Sequence, residues 1–233
     1  MTSSFATLSQ TIAAKVGVAI AAGGDAPVQS FGAWSTGVAW STIKVPLAIA
    51  AERQAGQAAE PLIDRAITES DNAAAEQLWS MLGEPPQAAH AVESILRGGG
   101  DQTTMVQSQR VRPPFTAFGQ TKWPLNEQAL FAAHLPCIAD SAGVINEMHN
   151  IDPSQRWGLA TIDGVASKGG WGPGENGAYL VRQLATLPTP SGWVGIALAA
   201  TPSDGSFDSG VKVINALSEW IDNHRQDLRG AKC

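Results

Sequence analysis

The sequence predicts an α/β (α+β) protein: an antiparallel sheet made by both ends of the chain and flanked by helices, plus a smaller all-helical lobe. Three observations predict it. Short apolar, strand-like runs cluster near the two chain ends. Helical spacing dominates the middle. The strand-like runs are separated by Gly and Pro turns. The expected division is residues 1–40 with 140–233 as the sheet domain, and 41–139 as a reduced helical lobe carrying a long loop.

The elements follow in chain order. Leu8 to Ala14 has one apolar helical face. Val16 to Ala22 and Val28 to Trp34 read as strands joined at Gly23-Gly24-Asp25, a hairpin signal. From Thr42 to Gln54, Ile43, Leu47, Ala48 and Ala51 recur at helical spacing, and Pro46 falls in the tolerant first turn. Pro61 to Ile67 is a second helix, and Ser70 to Met81 a third that stops at Gly83. Gly98 to Gln120 carries three glycines and Pro113-Pro114 and reads as a long irregular segment, a type that often bears function. Leu125 to Leu135 is helical. Ala160 to Ser167, Ala178 to Ala185 and Trp193 to Ala200 read as strands. Asp208 to His224 closes the chain as an amphipathic helix with Val211, Ile214, Leu217 and Ile221 on one side.

Composition bounds the function. The chain has 233 residues, enough to bury a core without staples. With 44% hydrophobic and 15% charged residues it is not disordered. A net charge of -6 argues against a broad nucleic-acid surface. Four His and two Cys exclude a Cys-rich zinc or disulfide framework, and a bridge between Cys137 and Cys233 is left open. No apolar run approaches the about 18 residues of a membrane span. Met1 to Gln10 has no basic residue and does not read as a signal peptide. As written, the chain is expected in the cytoplasm, or in the cell envelope if an export signal has been removed.

Three short motifs carry chemistry. Ser41-Thr42-Ile43-Lys44 opens a helix, Ser70-Asp71-Asn72 precedes another, and Lys168-Gly169-Gly170 ends a predicted strand, with Trp171 after it. Ser and Lys three apart on a helix share a face. A serine hydroxyl becomes a nucleophile when a nearby base takes its proton, and a Lys amine with a lowered pKa can be that base. Singly, each motif also reads as a helix cap or a surface turn. Their joint order and their placement on helix, helix and strand fit one catalytic machine.

On these residues the chain resembles the serine β-lactamase and penicillin-binding protein superfamily, class A β-lactamases most closely. Trp40 to Leu47 is similar to the family's nucleophile helix, Ala66 to Ala75 to its second motif, and Val165 to Gly170 to its third-motif strand. The resemblance implies a β-lactamase/transpeptidase-like fold in which Ser41 is acylated, Lys44 is its base or part of the proton relay, and Ser70 passes a proton to the leaving nitrogen. Asn72 would orient the substrate amide. Lys168, with Gly169, Gly170 and Trp171, would receive a substrate carboxylate. The oxyanion would meet the backbone N–H groups of Ser41 and Trp171. No metal or cofactor is implied. The implied partner is a small molecule or peptide bearing a carboxylate, β-lactams among them.

The chain departs from the family at several places. Gly169 stands where a Thr or Ser hydroxyl is usual, and Trp171 is large where the family is small. Only 25 residues separate Lys44 from Ser70, so the lobe is trimmed. The family's deacylating Glu has no counterpart. Glu84, Glu93 and Asp101 lack its context, and its nearest match, Lys122-Trp123-Pro124-Leu125-Asn126, offers a Lys, which cannot take a proton from water when charged. Glu127 reads as a helix-start acid. His90, His134, His149 and His224 lack partnered acids and are expected to be structural or exposed. The expectation is therefore a Ser-x-x-Lys hydrolase of an amide or ester bond, with poor deacylation and weak or no β-lactamase activity. The alternative is a non-catalytic ligand-binding or scaffold protein of the same fold.

Overall fold

The computed structural model describes residues 1–24 and 26–233; Asp25, in the predicted Gly23-Gly24-Asp25 turn, lies outside the described residues. The chain opens with α1 (Thr2–Thr11), β1 (Ala14–Ala21), β2 (Gln29–Gly32) and β3 (Thr36–Val38). The helical middle is α2 (Lys44–Ala55), α3 (Glu60–Thr68), α4 (Asn72–Met81) and α5 (Pro85–Gly98). After an irregular stretch come β4 (Lys122–Pro124), α6 (Leu125–His134) and α7 (Ala142–His149). The end of the chain is β5 (Ala166–Pro173), β6 (Tyr179–Thr189), β7 (Gly192–Pro202) and α8 (Phe207–Asn223).

Five strands form one antiparallel sheet in the order β2-β1-β7-β6-β5, so the two chain ends share it as the sequence predicts. The strands alternate in size as well as in polarity. Val16, Val18, Ile20, Val194, Ile196, Leu198 and Ala200 face α1 and α8, where they meet Phe5, Ile214, Leu217, Trp220 and Ile221. The opposite face is lined by Ala19, Ala21, Ala197 and Ala199 and takes α6. Small residues are required there: a Cβ on Gly195 would lie 2.0 Å from the carbonyl oxygen of Ala129 on α6. The remaining helices gather around α2, whose residues Val45 to Ala51 are all buried, a core in which each fully buried large aliphatic side chain contributes about 1.5–3 kcal/mol. Within residue range 41–139, α6 packs on β1 and β7, while α7, beyond that range, packs on α3.

Three features differ from expectation. The strand predicted from Ala160 begins at Ala166, because Gly158 and Gly164 take positive φ (60° and 77°) and residues Gly158–Thr161 coil into a 3-10 turn. Lys168 therefore lies inside its strand and not at the end. The helix α5 is absent from the sequence reading, although Pro85 and Pro86 at its first positions and a Glu84/Gln87 capping box announce it. So are α7 and the small β3–β4 ladder. Cys137 and Cys233, left open above, form a disulfide beside the Trp193–Ala231 bridge, and it ties down the C-terminal tail. Among the described residues, no single helix is long and apolar enough to cross a membrane.

Candidate active site

The first motif sits on a 3-10 turn, Trp40–Ile43, that feeds directly into α2 at Lys44. Trp40 has φ 51°, a left-handed conformation that a bulky residue adopts only when its surroundings enforce it. Those surroundings are visible. The indole meets Phe115 edge-on at 5.0 Å, and the Arg112 guanidinium lies 5.9 Å over it. Beneath the turn, Thr42 Oγ1 donates to Ala39 O (2.6 Å) and accepts from Gln128 Nε2 (2.9 Å). Ser41 and Lys44 stand one turn apart, Ser41 partly exposed and Lys44 buried.

The second motif supplies the acceptors for Lys44. Ser70 also has positive φ (59°), and Lys44 Nζ donates to its carbonyl oxygen, to Asn72 Oδ1 (2.8 Å) and to Ser70 Oγ (3.3 Å). Asp71 plays the structural part that the sequence suggested. Its carboxylate caps α4 through Ala73 N (2.7 Å) and Ala74 N (3.1 Å) and pairs with Arg65.

The third motif completes the cluster. Lys168 is fully buried on β5; its Nζ donates to Ser70 Oγ (2.9 Å) and Gly169 O (3.1 Å). Ser70 Oγ thus accepts from two lysines and keeps its own proton free to donate. Burial pushes the Lys44 amine down to about 7, partly offset by the Asp71 charge. Burial, with the Lys44 charge added, holds Lys168 well below the ordinary lysine range. Lys44 is thus poised to exchange protons near neutrality.

The glycines of β5 divide by face. This strand is the sheet edge, so half of its main-chain groups lack a strand partner and face the helical lobe. A Cβ on Gly170 would lie 2.8 Å from Thr42 N and 2.9 Å from Ser41 N, and one on Gly172 would lie 2.4 Å from the Trp40 ring. On the other face a Cβ on Gly169 would meet Trp157 at 2.9 Å. The missing hydroxyl at 169 is thus matched by an indole packed against that position. Trp171, on the same face as Gly169, joins an aromatic cluster with Phe207 (5.3 Å) and Trp157 (5.9 Å), while the residue also borders the cleft.

A cleft of about 510 Å³ opens over Ser41, Lys44 and Asn72. Its far wall is the irregular segment from Arg110 to Gly119, and Arg112 ties that wall to the end of β5 through Pro173 O (2.9 Å) and Gly174 O (3.3 Å). The sequence match at Lys122 to Asn126 does not form this wall: Lys122–Pro124 pair with β3, Trp123 is buried on Asp101 (2.9 Å), and α6 starts at Leu125. Glu127 lies in the first turn of α6, as expected. Among the described residues lining the cleft, the carboxylate is Glu76, ion-paired with Arg110. Sequence reasoning missed it, although it lies four residues past Asn72 and hence on the same face of α4. Among the described residues, none of the four histidines lines the cleft; His90 pairs with Glu93 at the surface, and His224 meets Ser4.

No family model matches the chain, and no curated protein matches it. Among solved structures it is similar to a point mutant of the class A β-lactamase of the last common ancestor of Gram-negative bacteria (TM-score 0.73, 18% identity, 97% of this chain and 98% of that one). It is also similar to the chromosome-encoded β-lactamase of Vibrio parahaemolyticus (TM-score 0.70, 16% identity, 97% and 99% covered). The fold is that of class A β-lactamases over nearly the whole chain.

Proposed function

We propose that the protein is an acyl-serine hydrolase acting on an amide or ester bond of a carboxylate-bearing substrate, with β-lactams among the compounds that acylate it. One observation carries this reading: two buried amines converge on the hydroxyl of Ser70, and one of them, Lys44, stands a single turn from Ser41. In this mechanism the neutral Lys44 amine takes the Ser41 proton as Oγ attacks the carbonyl carbon. The oxyanion is received by the main-chain N–H groups of Ser41 and Trp171. Ser70 gives its proton to the leaving nitrogen and is reprotonated from the lysine pair. Asn72 holds Lys44 and the substrate amide, and the Lys168 charge attracts the substrate carboxylate. Deacylation is slow, because the loop wall of the cleft, residues 110–119, brings no carboxylate. The Cys137–Cys233 bridge suits an oxidising compartment such as the cell envelope.

The test is turnover of a chromogenic β-lactam and of an activated ester by the wild type and Ser41→Ala. Loss of product release in a folded Ser41→Ala variant supports the reading; equal rates sink it. The second reading, a non-catalytic binder, is favoured by the indole packed against Gly169. It requires that Ser41→Ala bind the ligand as the wild type does and that neither forms product.

A further inference from the structure

Hydrolysis of an acyl-Ser41 needs a group that takes a proton from water beside the ester. Lys44 is engaged with Ser70 and Asn72, Lys168 is buried beneath them, and the segment 110–119 offers only cationic, neutral and aromatic side chains. The cleft nevertheless contains a carboxylate. Glu76 lies one helical turn beyond Asn72, which holds Lys44, and lines the same cleft as Ser41. Its side chain is 31% exposed, so water reaches it. Arg110, from the loop wall of the cleft, pairs directly with it.

We propose that Glu76, ion-paired with Arg110, is the base that activates water for hydrolysis of the acyl-enzyme. This rests on the acyl-serine reading above. The water oxygen bonds to the acyl carbon as one water proton passes to the Glu76 carboxylate. As the C–Oγ bond to Ser41 breaks, the proton on Glu76 passes through the water of the cleft to the neutral Lys44 amine and from it to Ser41 Oγ, which leaves Lys44 neutral and the Glu76 carboxylate deprotonated again. The products are the free acid and the free Ser41 hydroxyl. The carboxylate thus sits on the second-motif helix and not on the loop.

The experiment follows the lifetime of the covalent adduct by intact-protein mass spectrometry after a chromogenic β-lactam is mixed and then removed. It compares the wild type, Glu76→Gln and Arg110→Gln, each checked for folding. Glu76→Gln is expected to acylate at the wild-type rate and to release its adduct about 10²-fold more slowly, the lower range for loss of a general base. Arg110→Gln breaks the same ion pair but keeps the carboxylate, and is expected to release within about tenfold of wild type. Unchanged release in Glu76→Gln, or equal trapping in Arg110→Gln, overturns the role of Glu76. If no folded form yields adduct or product, the acyl-serine reading itself falls, and this role with it.

Discussion

Gly170 and Gly169 are neighbours in one strand, yet they fail differently when a methyl group is added. On Gly170 the new carbon would sit 2.9 Å from Ser41 N and 2.8 Å from Thr42 N, and 3.0 Å from Ala39 O. Ordinary contact begins near 3.4 Å, so the nucleophile turn must retreat by roughly 0.5 Å. All three atoms are main chain and none is the end of a flexible side chain. Overpacking of this kind costs about 1–3 kcal/mol. For a chain of this size that lowers the melting temperature by roughly 2–12 °C. The same shift moves the Ser41 N–H away from the oxyanion, and errors of that scale cost about 10–10² in rate. On Gly169 the new carbon meets Trp157 at 2.9 Å on the opposite face, so the stability loss is similar while Ser41 stays in place. The assay is thermal unfolding of Gly170→Ala and Gly169→Ala beside their rates of acylation by a β-lactam. Wild-type acylation in Gly170→Ala, or an equal loss in Gly169→Ala, would refute the reasoning.

Three further outcomes follow. Because burial pushes Lys44 down to about 7, the acylation rate should rise as pH increases through about 7 and then level, as a stopped-flow pH series would show. The sign for stability is the same: the unfolded chain takes up the Lys44 proton below its ordinary 10.5 and the folded chain only below about 7, so the wild type should lose stability relative to Lys44→Met as pH falls from about 10 to about 7. The disulfide spans 96 positions at the end of the sheet remote from Pro173 and Tyr179. Cys233→Ser should lower unfolding free energy by about 2–5 kcal/mol in denaturant titration and leave the acylation rate within about twofold.

The parts of the site that lie within one local segment were legible in the sequence. Ser41 and Lys44 share a helical turn, and Asp71 is a cap by residue type. The convergence of Lys44 and Lys168 on Ser70 joins positions 26 and 98 apart and needed the family resemblance to be foreseen. Lys122 to Asn126, the nearest match to the family's deacylation motif, lies outside the cleft wall because its strand pairs with β3, a partner more than 80 positions away that no local signal reveals. Glu76 was passed over because its ion pair with Arg110 spans 34 positions, which no local signal reveals. Gly169 read as a lost hydroxyl; only the position of Trp157 shows why a side chain there is excluded. The sheet was foreseen by its apolar runs, and the late start of β5 by nothing except the positive φ of Gly158 and Gly164.

The central claim is that Ser41 is a nucleophile activated by Lys44. Its most direct measurement is peptide-level mass spectrometry after exposure to a reactive β-lactam or a fluorophosphonate. One adduct is expected, on the peptide containing Ser41, absent in Ser41→Ala and strongly reduced in Lys44→Met. A folded wild type that forms no adduct, or an adduct on another residue that persists in Ser41→Ala, would contradict it.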